Sequence, residues 1–140
     1  MPLPPRPRLL IAEDQALIRL DLERLLDEAG FEVCGSARDG QEAVELALEH
    51  HPDIVVLDVK MPRLDGVEAA RQILAEGFVP IVMLTAYGYG ELISRAVDAG
   101  VVGFVVKPFK ESVLVEALRE ALEQAPDPAS LTYLGRPPRD

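Results

Sequence analysis

Four apolar runs end in side chains that can do chemistry. Leu9 to Ala12 leads into Glu13-Asp14, Ile54 to Leu57 into Asp58, Ile81 to Leu84 into Thr85-Ala86, and Gly103 to Val106 into Lys107-Pro108. Brought together, these ends would present three carboxylates, a hydroxyl and an ammonium. Two unit charges about 4 Å apart repel by roughly 4 kcal/mol at an effective dielectric of about 20, so three gathered carboxylates need more compensation than one lysine supplies. A hard divalent cation bound by oxygens would make up the difference. Mg²⁺ suits such a site, because it takes a few carboxylates and keeps waters that a phosphate can replace. Taken singly, each residue has a plainer use: Asp14, ahead of Gln15-Ala16-Leu17, could cap a helix, Thr85 could be an ordinary strand residue and Lys107 an ordinary surface charge. The joint placement is what favours a bound cation over these plainer uses.

The elements that must position these groups follow from apolar spacing. Runs rich in Val, Ile and Leu predict five strands, at Leu9 to Ala12, Phe31 to Ser36, Ile54 to Val59, Ile81 to Thr85 and Gly103 to Val106. Between them, helical stripes appear as Ile18, Leu22, Leu25, Leu26 and Ala29, as Ile93, Ala96, Val97 and Gly100, and as Leu114, Ala117, Leu118, Ala121 and Leu122. Glycines at Gly30, Gly40, Gly66, Gly77, Gly90 and Gly100 suit helix ends. Strands alternating with helices make βαβ units. The expectation is an α/β domain with a doubly wound, five-stranded parallel sheet and helices on both faces. Ligands of such sheets bind beyond the carboxyl ends of the strands, where the reactive residues lie.

Length and charge set the outer bounds. The chain has 140 residues, 49% hydrophobic and 27% charged, which suits one globular domain. A formal net charge of −10 argues against direct binding to nucleic acid or to an anionic membrane, since phosphate backbones are recognised by clustered Lys and Arg. The few concentrated positives, Arg6 and Arg8 at one end and Arg136 and Arg139 at the other, fall near the ends. A single cysteine, Cys34, cannot form an internal disulfide and is expected in the core. No long apolar run or signal peptide is visible, so a cytoplasmic location is expected. His50-His51 has no metal-ligand spacing and is expected to close a helix. Residues 1–7 and 126–140 are read as tails or a linker stump around a domain spanning 8–125.

Glu13-Asp14, Asp58 within DVKMPRLDG, Thr85-Ala86 and Lys107-Pro108-Phe109 resemble the receiver domain of two-component response regulators, over roughly Arg8 to Gln124. The resemblance implies a flavodoxin-like receiver fold in which Asp58 accepts a phosphoryl group from a histidine kinase or phosphotransfer protein. It further implies that Asp14 and Asp58 ligate Mg²⁺ directly, that Glu13 acts mainly through bound water, and that the backbone carbonyl of Lys60 completes the metal site. Thr85 and the Ala86 N–H would hold phosphoryl oxygens, with Lys107 pairing to another. Phe104 stands where receivers carry a switch aromatic, with a core phenylalanine as the plainer alternative, and the Lys107-Pro108 bond is cis in the family. Lys60 and Tyr87 occupy positions that in the family border the phosphoryl group and tune its hydrolysis, although on spacing alone an exposed lysine and tyrosine fit equally well.

A finer likeness, carried by IAEDQALIRLDLERLL, DGQEAVELA and DVKMP, is to the receivers of antitermination regulators, which carry an RNA-binding ANTAR module after the receiver. Only about 16 proline-rich residues follow Gln124, so the expectation is either a stand-alone receiver or a sequence that stops before its output domain. A homodimer through the last two helices is a further expectation. The competing reading is an Mg²⁺-dependent hydrolase of small phosphate esters with an aspartyl-phosphate intermediate; such enzymes usually place a second Asp two residues after the nucleophile, where this chain has Lys60. A phosphate-independent scaffold is the third possibility, and it would be expected to lose the acid pair or the lysine.

Overall fold

The computed structural model of the protein describes residues 6–61, 63–86 and 90–123. Tyr87, Arg136, Arg139 and the segment 126–140 lie outside the described residues. Strands and helices alternate without exception along the described chain: β1 (Arg8–Ala12), α1 (Ala16–Glu28), β2 (Glu32–Ala37), α2 (Gly40–His50), β3 (Ile54–Asp58), α3 (Gly66–Glu76), β4 (Ile81–Thr85), α4 (Gly90–Ala99), β5 (Gly103–Val106) and α5 (Glu111–Glu123). All strand pairs are parallel and the order is β2-β1-β3-β4-β5. The expected doubly wound sheet is therefore present. The winding reverses between β1 and β3, which opens a crevice at their carboxyl ends.

Each strand sends alternate residues to opposite faces, and both faces are covered. Leu9, Ile11, Ile54, Val56, Val82 and Leu84 pack against Leu22 and Leu26 of α1 and Leu114 and Leu118 of α5. On the other face, Leu10, Val55, Leu57, Ile81 and Met83 meet Ala43 and Ala47 of α2, Val67, Ala70 and Ile73 of α3, and Ala96 of α4. Double coverage explains why β3 and β4 are buried at every position, their terminal Asp58 and Thr85 included. Two glycines make close approaches possible: a Cβ on Gly66 would run into the backbone carbonyl of Asp58, and one on Gly40 into that of Leu64.

Some expectations need correction. Val97 is 55% exposed, because the buried stripe of α4 runs through Ala96 and the next position turns away. Cys34 is only partly buried, not core. It sits on edge strand β2 where the register slips, Leu9 facing Val33 and Leu10 facing Gly35, so the bulge leaves it between two partners. Burial still raises the pKa of its thiol. Arg6 is held rather than loose, donating to Asp27 Oδ1 at 2.7 Å and to the Phe31 carbonyl at 2.8 Å. Arg8 opens β1 and its side chain donates to the His50 carbonyl at 2.6 Å. His50 does close α2, and His51 turns the chain with a left-handed φ of 49°.

Candidate functional site

β1, β3, β4 and β5 deliver their terminal residues to one edge. Glu13, just past β1, is anchored by its own N–H to the Ala37 carbonyl at 3.0 Å and is fully buried. Asp58 ends β3, and the Val59 N–H continues the ladder to the Leu84 carbonyl at 3.0 Å, so the carboxylate is carried on rigid backbone. Lys107 follows β5, its N–H donating to the Thr85 carbonyl at 2.7 Å ahead of a cis bond to Pro108. Its ammonium donates to Asp58 Oδ2 at 2.8 Å and to Glu13 Oε1 at 3.1 Å. The other carboxylate oxygens are also engaged: the Gln15 N–H donates to Glu13 Oε2 at 3.1 Å, and the Lys60 N–H to Asp58 Oδ1 at 3.2 Å.

Charge in this crevice is out of balance. Glu13, Asp14 and Asp58 each offer a carboxylate oxygen, all lying within 4.8 Å of one another, and among the described residues Lys107 is the one cation paired with them. Burial pushes the Glu13 carboxyl up to about 7, helped by its hydrogen bond to Asp58 and by that neighbour's charge, while the Gln15 N–H and Lys107 pull the other way. Burial by itself lowers the pKa of Lys107, but the hydrogen bond to Asp58 and that carboxylate's charge, and then the hydrogen bond to Glu13 and its charge, outweigh this and raise it. An all-oxygen donor set with surplus negative charge fits a hard divalent cation such as Mg²⁺. Asp14 is exposed, on the open side of the cluster, and does not cap α1, whose N-cap is Gln15 with no side-chain cap bond.

The structure thus gathers Glu13, Asp14, Asp58 and Lys107, with Thr85 buried at the neighbouring strand end and Ala86 exposed just beyond it. Lys60 contributes backbone to the site and has an exposed side chain. Phe104, on β5, pairs with Met83 of β4 and packs, partly buried, against the core under α2, α3 and α4. Sequence reasoning missed Asp39, a buried acid at the N-cap of α2 that pairs with Arg63. The pattern Asp39-Gly40-Gln41-Glu42 is a capping signature and could have revealed the cap, but not the arginine.

Comparison with known proteins gives a consistent picture. The profile of the family described as "Response regulator receiver domain" matches residues 9–119. The transcriptional regulatory protein PdtaR of Mycobacterium tuberculosis is 53% identical over 117 residues, covering 84% of this chain and 57% of PdtaR. This chain therefore spans little more than half of that relative. Chemotaxis protein CheY of Thermotoga maritima is 40% identical over 114 residues, 81% of this chain and 95% of CheY. Among solved structures, the receiver domain of sensor histidine kinase PA1611 from Pseudomonas aeruginosa, with a magnesium ion coordinated in its active-site cleft, superposes with a TM-score of 0.77 at 29% identity, covering 85% of this chain and 99% of that one.

Proposed function

This chain belongs to the response regulator receiver domain family, and from that premise we propose that it works as a phosphorylation switch with Asp58 as its phosphoacceptor. The observation that carries the reading is the setting of Asp58, an acid on the end of a doubly buried strand with Lys107 on one carboxylate oxygen and surplus acids beside it. Phosphoryl transfer asks mainly for positioning and charge neutralisation, so a rigid carboxylate can attack phosphorus in line while the donor's leaving group departs, with no base required. Lys107 offsets charge on the incoming group, and Thr85 and the Ala86 N–H hold its oxygens. Mg²⁺, held by Glu13, Asp14, Asp58 and the Lys60 carbonyl, would supply the remaining positive charge.

The new charge of about −1.5 to −2 draws Thr85 and Lys107 inward, and Phe104 moves into the space released, which alters the surface of α4, β5 and α5. A histidine kinase or phosphotransfer protein is the donor, and self-phosphorylation and slow self-dephosphorylation are the only reactions assigned. Output passes through a protein partner, a homodimer through α4 and α5, or an RNA-binding module as in antitermination regulators, because the acidic surface of this chain disfavours RNA itself. The hydrolase reading is not favoured: Lys60 stands where such enzymes carry a second Asp.

Incubation with acetyl phosphate and Mg²⁺, followed by mass spectrometry, tests the assignment. One phosphoryl adduct on Asp58 is expected, none on Asp58→Asn, and none after EDTA, which should leave the fold intact. Label retained by Asp58→Asn would overturn the assignment.

A further inference from the structure

The loop between β3 and α3, residues 59–65, carries the Lys60 N–H that donates to Asp58 Oδ1. Its base is closed where the Gly66 N–H donates to the Val59 carbonyl at 2.9 Å. Its tip is tied to a different element. Arg63 takes a left-handed conformation, φ 68°, which a non-glycine residue holds only when its surroundings enforce it, and its guanidinium reaches the Asp39 carboxylate. Next to it, the Leu64 carbonyl lies against Gly40, the first residue of α2, where any side chain would collide.

The two partners of this ion pair are unlike. The Arg63 side chain is 68% exposed, whereas that of Asp39 is 6% exposed and fixed independently of Arg63. Asp39 Oδ1 accepts the Glu42 N–H at 2.8 Å as the helix N-cap, and the Glu42 carboxylate reaches back to the Arg38 N–H at 2.8 Å. Oδ2 is left for Arg63. A capped helix end therefore offers a preset anchor, and the exposed arginine brings the loop to it.

We propose that Asp39 and Arg63 form a clamp that holds the Lys60 backbone against Asp58, making Arg63 a positioning residue for phosphoryl transfer; this rests on the reading of Asp58 as phosphoacceptor. Neither residue is among the groups that gather around Asp58. Released from the clamp, the loop keeps its base at Gly66 but loses its tip, and Lys60 is the part nearest the acceptor that can drift.

The test compares Arg63→Gln, Asp39→Asn, the double variant and Arg63→Lys, with Arg71→Gln as control because Arg71 pairs with Glu68 at 2.8 Å on the exposed side of α3. An asparagine at 39 can still accept from the Glu42 N–H, so the cap survives. Arg63→Gln and Asp39→Asn should each slow phosphorylation by acetyl phosphate about tenfold, since small misplacements at a reacting centre cost that much or more. Lys60 amide exchange should quicken about tenfold in both, reporting the loop directly. The double variant should be no slower than either single one, Arg63→Lys should recover most of the rate, and Arg71→Gln should match wild type. A wild-type chain that takes up no phosphoryl group would overturn the phosphoacceptor reading and the role of Arg63 with it. Normal wild-type uptake with unchanged rates and unchanged Lys60 exchange in the Arg63 and Asp39 variants would overturn the clamp alone, as would a control as slow as Arg63→Gln.

Discussion

At the amino end of the sheet, Arg6 meets Asp27 at 2.7 Å and Arg8 meets Glu32 at 3.7 Å, and the Arg8 N–H donates to Asp53 at 2.8 Å. At the carboxyl end, among the described residues, Lys107 alone pairs with Asp58 and Glu13, with Asp14 alongside. Both edges mix acids with a few cations, but water reaches them differently. The side chains of Asp27 and Glu32 are 65% and 54% exposed, those of Glu13 and Asp58 only 1% and 10%. Solvent settles the charge at the first edge, and each pair there is a modest local tie. At the second, burial keeps solvent from doing so, and the shortfall of positive charge becomes a binding property. A structural network and a functional one thus differ less in composition than in what they leave uncompensated.

Changing charge at each edge should therefore have unequal and even opposite effects. The largest is expected for Lys107→Met, which strands the buried carboxylates: about 3 kcal/mol of stability lost in the metal-free protein at neutral pH, part of it regained on adding Mg²⁺, as urea unfolding would measure. The same imbalance predicts the reverse for Asp14→Asn, a gain of roughly 1 kcal/mol without metal as repulsion is relieved. If both variants simply lose stability, the crevice is not overcharged.

Asp39 is an intermediate case, buried like Asp58 but fully partnered. The hydrogen bond from Arg63, and then that from the Glu42 N–H, hold its carboxyl below the ordinary value of 3.8. A lowered carboxyl pKa contributes stability that is complete above the unfolded value and is lost as pH falls through the folded one. Wild type should accordingly exceed Asp39→Asn in stability at pH 6, and the gap should close below about pH 4. Urea midpoints across that range would show it, and a gap that persists into strong acid would mean that Asp39 acts by shape alone. The smallest effect is expected at the amino end, where Arg6→Ala should cost less than about 1 kcal/mol. A loss comparable with that of Lys107→Met would erase the contrast between the edges.

The runs Ile54 to Leu57 and Ile81 to Leu84, and the residues that end them, could be read directly, because burial on both faces demands uninterrupted apolar sequence and any polar group must wait for the strand to end. Element types, the doubly wound class and the residues of the acidic crevice followed from such local patterns. Patterns within one segment say nothing about depth or partner. Adjacent Glu13 and Asp14 differ completely, one fully buried and the other exposed. Val97 turned outward beside Ala96, and Cys34 landed on a bulge. Asp39 and Arg63 lie 24 positions apart, and Lys107 reaches a carboxylate 94 positions away. Sequence by itself determined which residues stand at strand ends, since hydrophobic periodicity is a short-range property. Only the tertiary structure decided which of them meet, how deeply and in what charge balance, since strand order and helix packing set distances between segments that share no local code.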